Sequence, residues 1–371
     1  MIRTIAEPAA YQRTTAAPVG HSSPGALRSL KQMAGRSLPA LKREYEAWRL
    51  FPDLWRDATP ALIEGALDVE CDLVYSTAPP MSVHRAASRI SRQLDVPWVA
   101  EYRDPWHDQD TGRPAFSGTI MAAAANTMRR QIVTGPALCV GVSEGIVSWL
   151  EQEGAREALL ARNGIPDRLL TSPSAPATID RHRTVYFGSF YLQRTPIPYL
   201  DALVTLRDKG HLSEGFALDL IGDVATFNDA SISEMLERRG LSNLTTIAAR
   251  IPHAEVMERT RSAGLLLLLA QQQPRQVPNK LYEYLAANRP ILAWVDDEGE
   301  SARLLRQVGG HFLVTEQTPA AEIPAIARAA MEAAAGNWAP AHPEVLDGLK
   351  SSVQLESVVA AVQWLAALGR S

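Results

Sequence analysis

Only two cysteines, Cys71 and Cys139, occur in 371 residues. That scarcity excludes a disulfide-stapled scaffold, and both residues fall in apolar, strand-like stretches where free thiols are usually buried and inert. Such usage fits a reducing compartment, so a cytoplasmic location is expected. An excess of one charge is also lacking: 37 Lys and Arg face 41 Asp and Glu, and the net charge of −4 gives no global electrostatic argument for nucleic acid. No apolar run reads as long enough to span a bilayer, and Met1-Ile2-Arg3 is not followed by the apolar core of a signal peptide.

What is present is a composition for packed cores, 46% hydrophobic, in a length that suggests two domains. The densest signal lies in residues 277–294. Pro278 suits the first turn of a helix, where its missing N–H has no intrahelical partner, and Arg289-Pro290 marks the stop. Within that helix Lys280, Glu283 and Ala287 share one face and Leu281 and Leu285 another. The run Ala263-Gly264-Leu265-Leu266-Leu267-Leu268-Leu269-Ala270 precedes it as a central strand, with the polar loop 271–277 between. In an open parallel sheet ligands sit outside the carboxyl ends of strands, beside helix N-termini that attract anions. There Lys280 suits a phosphate and Glu283 a sugar diol; the plainer alternative is a solvated Lys/Glu pair on a helix face.

Residues 1–25, rich in Ala, Pro, Ser and Thr, predict an unordered leader. Residues 28–49 carry Arg28, Lys31, Arg36, Lys42, Arg43 and Arg49 against Glu44 and Glu46, interleaved with apolar positions. Either a helical hairpin with a solvated basic face or a surface that docks on anionic lipid fits this pattern. From Asp72 the chain alternates strand and helix: a strand at 72–76, a helix over 82–94, a strand at 97–102 and another at 137–143, with Ser143 capping the helix that follows. After a linker-like stretch at 171–180, strands recur at 184–191, 217–222, 244–248, 264–269 and 291–295, and a final helix covers 355–368.

The run from Pro278 to Leu292, close to P-x-K-L-[YF]-E-Y-L-A-A-x-x-P-I-L, resembles a subgroup of the retaining glycosyltransferases of family 4. The paired signatures Tyr75 to His84 and Arg103-Asp104-Pro105-Trp106 match the same subgroup in the same order, and the likeness covers residues 51–316. It implies an α/β GT-B fold, two Rossmann-like domains facing across a cleft. The expected division is a leader and basic segment (1–50), an acceptor domain (51–170), a nucleotide-sugar domain (182–345) and a helix packing back across both (346–371). Because a recognisable strand appears only near Asp72, the resemblance also implies an incomplete N-terminal domain.

By the same resemblance the partners are a nucleotide-sugar donor and a lipid-linked or glycan acceptor, with transfer of the sugar to a hydroxyl, in surface glycan or polysaccharide synthesis. Glu283 would hold the donor ribose; Lys280 and Arg194, after the Gly188 turn, would hold the diphosphate. Asp223 faces the same crevice. Two departures stand out: Arg275 replaces a glutamate eight residues before Glu283, and Arg103 replaces a histidine facing the reacting sugar. Arg103 either holds an acceptor phosphate or pairs with Asp104, and Asp104 either orients the acceptor hydroxyl or is structural. His84 reads as a helix-surface histidine. Cations can stabilise a leaving diphosphate without metal, so no metal or other cofactor is expected. Two competing readings remain: a degenerate transferase that only binds nucleotide, and a metal-dependent hydrolase or transferase built on Asp104, His107, Asp108 and Asp110.

Overall fold

A computed structural model describes residues 41–106, 115–171, 178–191 and 194–368. The expected leader, most of the basic segment and the Asp108-Gln109-Asp110 loop lie outside these residues. The described chain opens with a helix over residues 41–50 (α1), then α2 (Thr59–Leu67). An alternating run follows: β1 (Val74–Ala78), α3 (Met81–Leu94), β2 (Trp98–Tyr102), α4 (Ala122–Thr134), β3 (Leu138–Gly141), α5 (Glu144–Gln152), β4 (Ala158–Leu160) and α6 (Asp167–Thr171). These strands form one parallel sheet in the order β1-β2-β3-β4.

A second sheet takes up the next stretch. Its elements are β5 (Asp180–Ser189), α7 (Ile197–Asp208), β6 (Ala217–Asp223), the small hairpin β7 (Thr226–Phe227) and β8 (Ala230–Ser231), α8 (Ile232–Arg238), β9 (Thr245–Ala248) and α9 (His253–Ser262). They continue with β10 (Ala263–Ala270), α10 (Asn279–Ala286), β11 (Ile291–Val295), α11 (Glu300–Val308), β12 (Phe312–Val314), α12 (Ile323–Ala335) and α13 (Val345–Gly348). The order β12-β11-β10-β5-β6-β9 is parallel throughout.

The central strands β2, β3, β10 and β11 are covered on both faces, which is why they read as largely apolar runs, whereas the edge strand β1 alternates between buried and exposed positions. In β10, leucine has good helix propensity, yet burial on two sides selects the strand. Leu265, Leu267 and Leu269 enter one core with Tyr199, Leu203 and Ala330, while Leu266 and Leu268 enter the other with Leu281 and Leu285 of α10. The apolar face assigned to α10 is therefore its packing face. In the first sheet, Ala100, Tyr102 and Cys139 pack toward α4 and α5; Val99, Leu138 and Val140 face the opposite way. That far side is closed by α14 (Ser351–Leu368), through Val358 and Leu365.

The expectation that no apolar run could cross a membrane needs correction, because α14 is long and apolar enough by length and composition. It starts four residues earlier than expected and has no Lys or Arg. It packs by one face and leaves Val353, Leu355, Val359, Trp364 and Leu368 exposed. The chain reaches it by crossing from the second sheet to the first, beside the earlier crossing in the other direction. There the Ile165 amide donates to Leu349 O at 2.6 Å and the Ser351 amide to Ile165 O at 2.9 Å. Gly164 sits at φ +70°, and a Cβ on it would lie 2.9 Å from Leu349 O, so glycine permits this stitch.

Candidate functional site

Where β5 and β6 end, two glycines shape the floor of the site. Gly188 has φ +149° and Gly222 φ +128°, and a Cβ on Gly222 would stand 2.1 Å from Gly188 O. Lys280 comes from the first turn of α10, which starts at Asn279, so that Pro278 marks the start as expected but from the N-cap, one position before the first turn. Its Nζ donates to Phe187 O at 2.9 Å, lies 4.3 Å from the Tyr186 ring centroid and would meet a Gly188 Cβ at 3.0 Å. Burial, aided by the Arg194 guanidinium, holds this ammonium well below the usual lysine range. Arg194 donates to Gln273 Oε1 at 3.0 Å and stacks 4.7 Å over Tyr191, while its Nε is buried without a partner. Neither cation has a carboxylate within ion-pair distance among the described residues. The structure thus brings Gly188, Lys280 and Arg194 together as a positive hollow.

Glu283 lies at the rim, one turn further along α10, and does not pair with Lys280. Its Oε1 is 2.7 Å from His253 Nε2, at the start of α9. Asp223, at the end of β6, accepts both Nε (2.9 Å) and Nη2 of Arg250 and the Ser189 hydroxyl at 3.4 Å.

The first domain faces this hollow. Arg103 does not pair with Asp104: its Nη2 donates to Pro79 O at 2.8 Å, which corrects that alternative. Asp104 instead accepts from Gln276 Nε2 at 2.5 Å, across the gap between the sheets. Three further links run beside it. Ser143 Oγ donates to Arg275 O at 2.5 Å, the Gly145 amide donates to Glu300 Oε1 at 2.7 Å, and Glu144 sits 3.7 Å from Arg303. Arg275 packs its side-chain stem so closely on Gly145 that a Cβ there would approach it to 2.9 Å. Arg275 thus joins the two domains.

His84 is not on a helix surface. It is fully buried against Tyr102 and Trp98, with ring centroids 4.5 and 6.0 Å away. Trp98 Nε1 donates to Ser76 Oγ at 2.7 Å, and the same hydroxyl lies 2.8 Å from His84 Nδ1, a contact whose donor depends on the imidazole tautomer. Burial pushes the imidazole down to about 3. Its helix is amphipathic, and the residue belongs to the buried stripe with Met81, Ala87 and Ile90. Asp104 is described, but His107, Asp108 and Asp110 are not; among the described residues no group of three metal-ligating side chains occurs.

His253, Arg250, Gln276 and Glu300 were not singled out by the sequence reading. A signal existed for the first two: they follow the carboxyl end of β9 and open α9, where a parallel sheet places crevice residues. Glu300 carries the same signal, following β11 and opening α11, but its partner is a backbone amide 155 positions away.

Comparison with solved structures assigns the architecture. HepE of Anabaena, solved with UDP-glucose, superposes with a TM-score of 0.57 at 15% identity over 82% of this chain and 81% of that one. The fold is GT-B. A sucrose-phosphate synthase from Thermosynechococcus elongatus matches at TM-score 0.58 and 14% identity, covering 85% of this chain and 80% of its own. WaaB, a lipopolysaccharide outer core galactosyltransferase, matches at 0.55 and 12%, covering 83% and 80%. No protein-family model and no curated protein matches the chain by sequence. In this GT-B frame the Gly188 hollow and the Arg103-Asp104 strand end lie on facing domains.

Proposed function

We propose that this chain is a glycosyltransferase that moves a sugar from a nucleoside diphosphate to a hydroxyl acceptor. The observation that carries the proposal is the pair Lys280 and Arg194, two basic side chains gathered beside the Gly188 turn with no carboxylate in ion-pair distance among the described residues. A diphosphate supplies the balancing charge, and the same side chains stabilise it as a leaving group. Glu283 takes the ribose hydroxyls by exchanging His253 for them. Charge-assisted bonds of this kind contribute about 1.5–3 kcal/mol each. On the opposite domain Arg103 holds an anionic acceptor group, and Asp104 orients the acceptor hydroxyl once Gln276 releases it. No step in this scheme calls for a metal. The GT-B likeness, including HepE with UDP-glucose and WaaB, supports a UDP-sugar as the first donor to try and a surface glycan or its lipid-linked precursor as the acceptor.

The test is the shift in melting temperature with UDP, GDP, ADP and their sugar conjugates, in wild type and Glu283→Ala. Ligand at a hundred times its Kd adds about 2.7 kcal/mol. A shift with one nucleotide that the variant loses supports the scheme; full retention by a folded variant overturns the role of Glu283. A binding-only reading is favoured by one observation, the engagement of Asp104 by Gln276, and turnover of labelled sugar onto any acceptor removes it.

Membrane contact belongs to the same proposal, in a revised form. Lys42 and Arg43 of α1 lie 3.8 and 3.7 Å from Glu46 and Glu44, so much of the described basic charge is compensated. What α1 offers instead is Leu41, Tyr45 and Trp48 at one-turn spacing, each more than half exposed, with exposed Ile120 joined to the helix through Glu44. Aromatic insertion at the headgroup level, with charge as an aid, is the mode this surface supports.

A further inference from the structure

At the opposite end of the second sheet from the Gly188 hollow lies a cavity of about 400 Å³. Its position follows from the strand order. Arg181 stands near the start of β5 and Arg289 just before β11, flanking β10, where Gly264 leaves the floor open. A Cβ on Gly264 would meet Arg181 O at 2.4 Å, so a larger residue cannot fill the space. Trp338 and Asn337 close the side beyond α12.

We propose that this cavity is a second anion site, holding the phosphoryl group of a small phosphorylated molecule between Arg181 and Arg289. Arg183, Arg239 and Arg250 of the same domain each pair with a carboxylate. Arg181 and Arg289 do not, among the described residues. Arg181 donates to Ala335 O at 3.1 Å, to Gly336 O and to Asn337 Oδ1 at 3.5 Å, steadying the carbonyl end of α12. Arg289 uses Nε on Arg261 O at 2.9 Å, which leaves its two terminal nitrogens for a ligand. The exposed Arg181 guanidinium crowds the half-buried Arg289: burial first, and then the Arg181 charge, push Arg289 below the usual arginine range. A phosphoryl dianion relieves that crowding, and the planar fork of Arg289 matches its oxygens. The volume exceeds a bare phosphate and leaves room for an attached group of monosaccharide size. Along the eight residues of β10 the site lies roughly 23 Å from the Gly188 end, at about 3.3 Å per residue, so it is separate from the donor hollow.

The experiment is calorimetric titration of the full chain with inorganic phosphate and with glucose 6-phosphate at constant ionic strength in chloride, in a Lys280→Met background to silence the donor hollow. Arg289→Gln removes the fork. Asn337→Asp, at an exposed position already touching Arg181, adds the missing carboxylate with little change of shape and decides the matter if Arg289→Gln fails to fold. Saturable binding that either substitution weakens at least about tenfold is expected. Absence of saturable binding, or binding unchanged in Asn337→Asp, overturns the proposal.

Discussion

Glu300 of the second domain accepts a hydrogen bond from the Gly145 amide of the first at 2.7 Å, although its side chain is only 3% exposed. A carboxylate so placed meets the free N–H end of α5, where the helix favours negative charge. Replacement by Ala removes a charge-assisted bond of about 1.5–3 kcal/mol between the domains. Glu300→Ala is expected to leave each domain folded and to enlarge the radius of gyration in X-ray scattering; an unchanged radius contradicts this.

Glu283 and His253 compete with the proposed ribose for one another. Glu283→Ala is expected to weaken nucleotide binding by tens to hundreds of fold. His253→Ala should retain or tighten it, because the carboxylate is then free from the start. Weakening in both variants would make the pair, rather than the carboxylate alone, the nucleotide contact.

Gly222 has no room for a side chain. Gly222→Ala places a methyl 2.1 Å from Gly188 O at φ +128° and should cost more than about 2 kcal/mol, visible as a lower urea midpoint. A midpoint within error of wild type would show that the β5–β6 turn relaxes freely.

Acid should destabilise the protein through its buried imidazoles. Burial lowers His84 to about 3 and His311 to about 4, from an ordinary value of 6.5. The unfolded chain therefore binds protons that the native one refuses, so stability is full above pH 6.5 and falls as pH drops toward 4. The slope is about 1.4 kcal/mol per pH unit for each histidine. In His84→Gln, denaturation midpoints between pH 6 and 4 should follow a shallower line than in wild type.

Metal removal provides a separate check on the chemistry. Sugar transfer, once a donor and acceptor are found, is expected to continue in EDTA, since Lys280 and Arg194 supply the charge; loss of turnover restored by Mg²⁺ or Mn²⁺ would return attention to Asp108 and Asp110.

The α/β alternation was legible because strands buried on both faces leave long apolar runs, and β10 and β11 could be placed almost to the residue. Short edge strands such as β4 and β12, three residues each, carry too little pattern to be read. In the site, Lys280 followed from the start of its helix, while its grouping with the Gly188 turn came from the family resemblance. The orientation of Glu283 did not, because its partner His253 belongs to an element 30 positions away. His84 was misread for a related reason: a polar side chain in an amphipathic helix looks external until the Ser76 hydroxyl and the Tyr102 and Trp98 rings, from two different strands, are seen to enclose it. Arg275 bonds the other domain through its own carbonyl and Glu300 through a backbone amide there, which side-chain identity cannot announce.

The stitch between Ile165, Leu349 and Ser351 ties together the two places where the chain passes between domains. Two parallel threads fastened to each other behave as the pin of a door: they resist shear and sliding while leaving a swing about one axis. Such a swing would part Asp104 from Gln276 and Gly145 from Glu300 as one event, so that admission of a substrate and release of these latches become the same movement.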